Sequence, residues 1–274
     1  MDLEAAIAFA NQNFSSKRTT TFCEPYAGTA AISLQSHGVC SYPPRVGNKN
    51  KAAAATLALL GIEKPTTFVW ADQDKHIRLL LRSYTDNLLY DTTRKQLEAW
   101  VHEEPPALWH KCRESVLCQR QGSVPENLAE WMVAAAWSVT KGCQSLSYAG
   151  PGKVTKSGNA PVCVKDTSRM AAKMGRFPTG LVTTHILCDA ADAIEQANKL
   201  PRTLVYMDPP YSGMGRSYYV ANGGHVMSEG LALVNISNHP TWVASSESLS
   251  DASFNIGNTA FAKRESRDWL TRMK

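Results

Sequence analysis

The chain has no long apolar run, no paired-cysteine spacing, no internal repeat and no low-complexity tract. Its longest apolar-looking stretch, Ala52 to Ile62, is too short to span a bilayer. The seven cysteines are an odd number, and none falls in a C-x-x-C pair. Neither a disulfide framework nor a zinc knuckle is signalled, so free thiols in a reducing cytoplasm are expected. The opening residues, Met1-Asp2-Leu3-Glu4, are acidic where a secretory leader would be basic. These absences point to a soluble, cytoplasmic protein. Charge is also modest: 19% of residues are charged and the formal net charge is +5. That balance is compatible with a polyanionic partner without requiring one. With 274 residues, 43% of them hydrophobic, the chain has enough material for one large domain, or a domain carrying a sizeable insertion.

What is present centres on Val205-Tyr206-Met207-Asp208-Pro209-Pro210-Tyr211. Leu204 to Met207 is a short β-prone run, and the two prolines forbid the strand from continuing past Asp208. A carboxylate, a backbone carbonyl and an aromatic ring then meet at the carboxyl edge of a sheet, where open α/β sheets bind ligands. Such a group suits an exocyclic amine on a flat ring. Asp208 and the Pro209 carbonyl accept its hydrogens and Tyr211 stacks on the ring face. On these residues alone, a strand followed by a proline-stiffened turn serves equally well.

Upstream, Thr19 to Cys23 reads as a strand, followed by Glu24-Pro25-Tyr26-Ala27-Gly28 and a helix from Ala30 to about Gln35. Strand, tight turn and helix start form the opening unit of a nucleotide-binding α/β fold. The turn has one glycine, so the G-x-G-x-x-G fingerprint is missing. Glu24 would repel a pyrophosphate and suits instead a cationic ligand such as S-adenosylmethionine. An ordinary βα turn is the alternative. Thr66 to Ala71 is a second strand ending in Asp72-Gln73-Asp74. An acid there holds ribose hydroxyls in this architecture, or it caps the helix that starts near Lys75. Residues 41–50 form a polar loop, and a helix runs from about Lys51 to Leu60. Lys49 before it can meet a carboxylate, although a solvated lysine is the plainer reading.

Residues 2–14 read as a short amphipathic helix. From Lys75 to about Leu117 the pattern is helical, interrupted at Pro105-Pro106, and a further helix runs from Ser123 to about Thr140. Residues 141–180 then carry Lys141, Lys153, Lys156, Lys165, Arg169, Lys173 and Arg176 against a single acid, Asp166. A cationic loop with occasional rings is the footprint of a phosphate-backbone reader, or else a solvated surface. Strands follow at Thr183 to Cys188, before Asp189 and a helix from Ala190 to Lys199, and at Thr241 to Ser245. A last edge strand lies near the terminus, beyond Phe261.

Phe22-Cys23-Glu24-Pro25-Tyr26-Ala27-Gly28, Asp72 after a second strand, and Asp208-Pro209-Pro210-Tyr211 together resemble the DNA adenine-N6 methyltransferases of the Dam type, the divergent phage and bacterial members above all. The resemblance runs from about residue 19 to 270 and is weakest in the middle. It implies a Rossmann-like α/β fold with a doubly wound, mostly parallel sheet. Residues 1–84 and 181–274 would form the catalytic domain, and 85–180 a helical and basic-loop insertion for double-stranded DNA. S-adenosyl-L-methionine is the implied cofactor. Glu24, Pro25, Tyr26, Ala27 and Gly28 would lie on its methionine and ribose side, Asp72 at the ribose and Asp189 at the adenine. Lys49, in Gly47-Asn48-Lys49, resembles the Gly-Gly-Lys element that meets the cofactor carboxylate. That element stands after the turn here instead of before it, with Asn48 for its second glycine, and Ala30 replaces the second glycine of the turn. Asp208, Pro209, Pro210 and Tyr211 would be catalytic, with no metal involved. The resemblance also implies DNA methylation of the restriction–modification kind in a bacterial or phage-infected cell. The same clamp suits cytosine N4. A nucleic-acid-binding module on a decayed fold, and methylation of RNA or a protein glutamine, are further readings of the same residues.

Overall fold

The computed structural model describes residues 19–39, 54, 56–118, 122–138, 148, 150–151, 166–209, 227–245, 249, 253–261 and 264–273. Seven strands form one sheet: β1 (Thr21–Glu24), β2 (Thr67–Ala71), β3 (Thr183–Leu187), β4 (Thr203–Met207), β5 (Thr241–Ser245), β6 (Ser253–Phe261) and β7 (Arg264–Arg272). Their spatial order is β3-β2-β1-β4-β5-β7-β6. The first five run parallel, and β7 runs antiparallel to both β5 and β6. This is a Rossmann-like α/β arrangement. Its strand order reverses direction between β1 and β4, where open sheets of this kind leave a crevice.

Alternation along the strands sorts the core into two layers. Phe22, Phe68, Trp70, Leu204, Tyr206 and Trp242 belong to one buried cluster, and their sequence neighbours Cys23, Val69, Val205, Met207 and Val243 to another. A single-residue slip would exchange the two sets. Helix α1 (Ala31–Ser36) packs in the first layer, together with α2 (Lys75–Ser83), α3 (Asn87–Ala99), α4 (Pro105–Leu117), α5 (Val124–Ala136) and α6 (Thr167–Ala172). Helix α7 (Ala190–Asn198) and α8 (Met227–Ile236) close the second layer through Ala193, Ile194, Ala197 and Val234. No helix among the described residues is long and apolar enough to cross a membrane.

Caps fix where these helices begin. Asp74, Asp86, Ser123, Asp166 and Asp189 each accept a backbone N–H from the first turn of the helix that follows. Pro105 and Pro106 do more than interrupt the helical pattern. They open α4, at positions whose N–H groups have no intrahelical partner to lose. Helix α5 is buried nearly all round, from Leu128 to Ala134, and Trp109 of α4 packs into the same layer with no exposed surface.

Three features depart from the expectations. Helix α8 was not legible, because its apolar residues are not confined to one stripe and Gly230 interrupts them. Strand β6 was hidden by Gly257 and two asparagines, and its register shifts between Asn255 and Gly257. The terminal segment is no edge strand: β7 lies between β5 and β6, and β6 is the edge. The amphipathic helix expected at residues 2–14 lies outside the described residues.

Candidate active site

Parallel strands deliver acids to one edge of the sheet. Glu24 is the last residue of β1, and Asp72 and Asp208 directly follow β2 and β4. Glu24 pairs in register with Trp70, and Cys23 with Val205, so the position level with Glu24 on β4 is Tyr206. Asp72 and Asp208 each lie two residues beyond that level, on the same side of the pleat and about 7 Å further along. Glu24 therefore forms a floor, and Asp72 and Asp208 form a rim. Exposure follows this geometry, with Glu24 only 3% exposed, Asp72 partly buried and Asp208 exposed.

Glu24 does not face empty space. Ser33 of α1 donates its hydroxyl to Oε2, and the Trp70 indole donates to the Ser33 oxygen at 2.9 Å. Burial pushes the Glu24 carboxyl up to about 7. The Ser33 and Trp70 donors pull it down, and the neighbouring Asp208 carboxylate pushes it up again. Near neutral pH this group is poised between its charged and uncharged forms.

Asp72 ties two turns together. Its Oδ2 accepts the Gly28 N–H at 3.1 Å and its Oδ1 accepts the Asp74 N–H at 2.8 Å. Burial again dominates and raises its carboxyl to about 6, against those N–H donors and with the Asp74 charge adding to the rise. The helix cap belongs to Asp74, which accepts the His76 N–H at 2.8 Å. The capping role weighed for Asp72 thus falls to Asp74, and Asp72 holds the Gly28 and Asp74 amides at the rim.

The β1–α1 turn itself is tightly specified. Ala27 donates its N–H to the Ala71 carbonyl at 2.9 Å, binding the turn to the end of β2. Gly28 and Ala30 both have positive φ, 49° and 50°. Ala30 thus occupies a left-handed conformation that favours glycine, at the position where the glycine pattern is broken. Non-glycine residues held this way concentrate at ligand sites.

On the other side of the reversal, Pro209 is buried against α8. A Cβ on Gly230 would meet the Pro209 Cβ at 3.0 Å and the Tyr26 hydroxyl at 3.6 Å. Tyr26 and Pro209 thus meet around Gly230, and the Asp208 carboxylate lies near enough to Glu24 to raise its pKa. Asp189 stands at the exit of β3 and caps α7 through the Ala191 N–H at 2.7 Å. Pro25 and Ala27 are buried within the turn.

Sequence reasoning missed three contributors: Ser33, Trp70 and Arg78. The Arg78 guanidinium donates to the carbonyls of Asp72 at 2.6 Å and Gln73 at 2.9 Å, and reaches the Cys188 sulfur at 3.4 Å. It binds the exits of β2 and β3 together. No spacing rule marks an arginine seven residues past a strand, although a serine three residues into α1 facing a strand-end acid is a weak signal. Pro210, Tyr211 and Lys49 lie outside the described residues, as do Lys141, Lys153, Lys156 and Lys165. Of the other basic positions, Arg169 faces Asp166 at 3.6 Å, Arg176 faces Asp91 at 3.6 Å and lies over the Tyr90 ring at 4.8 Å, and Lys173 is partly buried.

Two cavities adjoin α2 instead of this edge. One of about 70 Å³ is lined by His76, Ser115 and Glu130, and a surface groove of about 440 Å³ by Lys75, Arg78 and Arg82. Among the described residues, no three His, Cys, Asp or Glu side chains are grouped to hold a metal ion. The chain matches no protein-family model and no curated protein sequence.

Proposed function

We propose that the protein is an S-adenosylmethionine-dependent DNA methyltransferase acting on adenine N6 of a flipped base. The observation that carries this reading is the meeting of Asp208 and Pro209 with the Glu24–Gly28 turn at the reversal of strand order. Support also comes from the sheet, a doubly wound order with an antiparallel strand before its last strand. Its doubly wound, mostly parallel order is what the resemblance implies.

The donor set fits the cofactor. Two buried carboxylates with raised pKa values favour a ligand that carries positive charge, and the Asp72 lone pairs at the rim suit ribose hydroxyls. Glu24 would act on the cationic end through the field of the floor, Asp72 on the ribose and Asp189 on the adenine. S-adenosylmethionine would supply an electrophilic methyl group on a sulfonium.

The remaining chemistry belongs to the chain. An aromatic amine is a poor nucleophile because its lone pair is delocalised into the ring. Asp208 and the Pro209 carbonyl accept its two hydrogens and draw the nitrogen toward tetrahedral geometry, which concentrates the lone pair. Orientation then supplies much of the rate. The amine is unreachable within a duplex, so the base must leave the stack, with Tyr211 as its stacking partner. DNA would be held by helices α3 to α6 and the cationic residues 141–176, through phosphates.

The test is transfer of tritiated methyl to duplex DNA, followed by nucleoside digestion. N6-methyladenine is expected. Asp208→Ala should abolish transfer while leaving DNA binding within a few-fold, and persistent activity in that variant would remove the clamp. N4-methylcytosine as the product would reassign the target base and keep the clamp. Calorimetry with S-adenosylmethionine separates an enzyme from a decayed binding module, which would bind no cofactor.

A further inference from the structure

Gly230 lies in the second turn of α8, where glycine is the poorest helix former apart from proline. Its place is explained by what it faces. A Cβ there would stand 3.0 Å from Pro209 Cβ and 3.1 Å from Pro209 Cγ, with the Tyr26 hydroxyl at 3.6 Å. The last distance is ordinary van der Waals contact. The first two demand that something move. The neighbour is a proline ring fused to its own backbone, so it cannot swing aside as a long side chain would. A change of pucker can shift Cγ, but Cβ, the nearest atom at 3.0 Å, is bonded to Cα and moves little unless the Pro209 backbone moves with it.

We propose that Gly230 is a positioning residue for the base-binding clamp: its bare backbone lets α8 seat the Pro209 ring, and this fixes where the Pro209 carbonyl points. The inference rests on the methyltransferase reading and adds a residue that none of the motif positions contains. Two structural facts make the placement specific. Pro209 directly follows Asp208, so the seat under the ring orients both acceptors of the amine. A Cβ at the same glycine would also reach the Tyr26 hydroxyl, so α8 faces the cofactor turn and the base clamp at this one position, tightly on the clamp side and loosely on the turn side.

That asymmetry predicts a split in the kinetics. Gly230→Ala adds a methyl that presses on Pro209 and only grazes Tyr26. Misplacement of a reacting group by a fraction of an ångström lowers the chemical step, and kcat should fall about tenfold. Cofactor affinity by calorimetry and affinity for duplex DNA should stay within twofold. Gly230→Ser carries the same first atom and should behave alike, whereas Gly230→Val should lose kcat further. Ala232→Gly, at an exposed position of the same helix, weakens the helix without touching Pro209. It should lower Tm and leave kcat unchanged.

Gly230→Ala should not lower Tm by more than Ala232→Gly does, because it restores a good helix former. The proposal is overturned if Gly230→Ala keeps wild-type kcat, or if its loss of activity follows its loss of Tm on the line set by Ala232→Gly. It is also overturned, in the cofactor's direction, if KM for S-adenosylmethionine rises while kcat holds. Wild-type protein that binds no cofactor and transfers no methyl would overturn the methyltransferase reading itself, and the clamp with it. That outcome is distinct from an active wild type with an equally active Gly230→Ala.

Discussion

At the carboxyl edge of β1, β2 and β4, the buried polar groups are acids, held by hydroxyl, indole and N–H donors. In helices α2 to α6 most of the buried groups are rings and aliphatic chains, and the one buried acid among their described residues, Glu130, is held by the Ser115 hydroxyl away from the strand ends. Trp109 shows the second arrangement: it is fully buried, and its indole donates to the Ala134 carbonyl at 3.2 Å and the Ser138 hydroxyl at 3.1 Å. Glu24 shows the first, buried as deeply but with its charge opposed by its surroundings. One region is built for stability. The other keeps an acid out of water at a cost in stability.

Substitutions can break that comparison. Trp109→Ala should have the largest effect on folding, about 3–5 kcal/mol by denaturant titration, and should leave S-adenosylmethionine affinity of the surviving folded fraction unchanged. A loss of affinity matching the loss of stability would erase the distinction between the two regions.

Glu24→Gln sharpens it from the other side. In the folded state this carboxyl is raised from 4.5 to about 7, so the native protein binds the proton more tightly than the unfolded chain. The contribution of this group is fully present below about 4.5 and is lost as pH rises through about 7, on the order of a few kcal/mol. The amide variant should lack that fall. A cationic ligand acts in the opposite sense, binding more strongly as the pH rises and Glu24 ionises. Affinity for S-adenosylmethionine should therefore increase between about pH 6 and 8 in the wild type and rise less in Glu24→Gln, where only Asp72 still ionises near pH 6, as read by calorimetry. Parallel pH profiles in the two proteins would end the electrostatic account of the floor.

Smaller effects follow at the surface. Asp74→Ala removes the cap of α2 and should cost about 1 kcal/mol, with no change in the Gly28 turn that Asp72 holds. Arg94→Ala breaks an exposed pair with Glu98 at 3.0 Å and should change stability by less than about 0.5 kcal/mol.

The same contrast explains what the sequence disclosed. Strand ends are marked by single residues, and Glu24, Asp72, Asp189 and Asp208 were each assignable from an acid following a β-prone run. Four of the five parallel strands were legible for that reason, and the fifth, Thr241–Ser245, from its β-prone run alone. Partners contributed by other elements were not. Ser33 and Arg78 act across 9 and 6 residues of chain, and Trp70 looked like any core ring. Helix α8 and β6 were missed because neither has a clean period, yet α8 carries the glycine against which Pro209 rests. Distance in sequence and absence of period hid these residues, although their chemistry is ordinary.

Gly28 and Ala30 wind left-handed while Asp72 and the Ala71 carbonyl pin the amides between β1 and α1. A loop fixed in this way has no closing motion left to make. The turn therefore holds its shape before anything approaches it, and a substitution that released either amide would cost order there first.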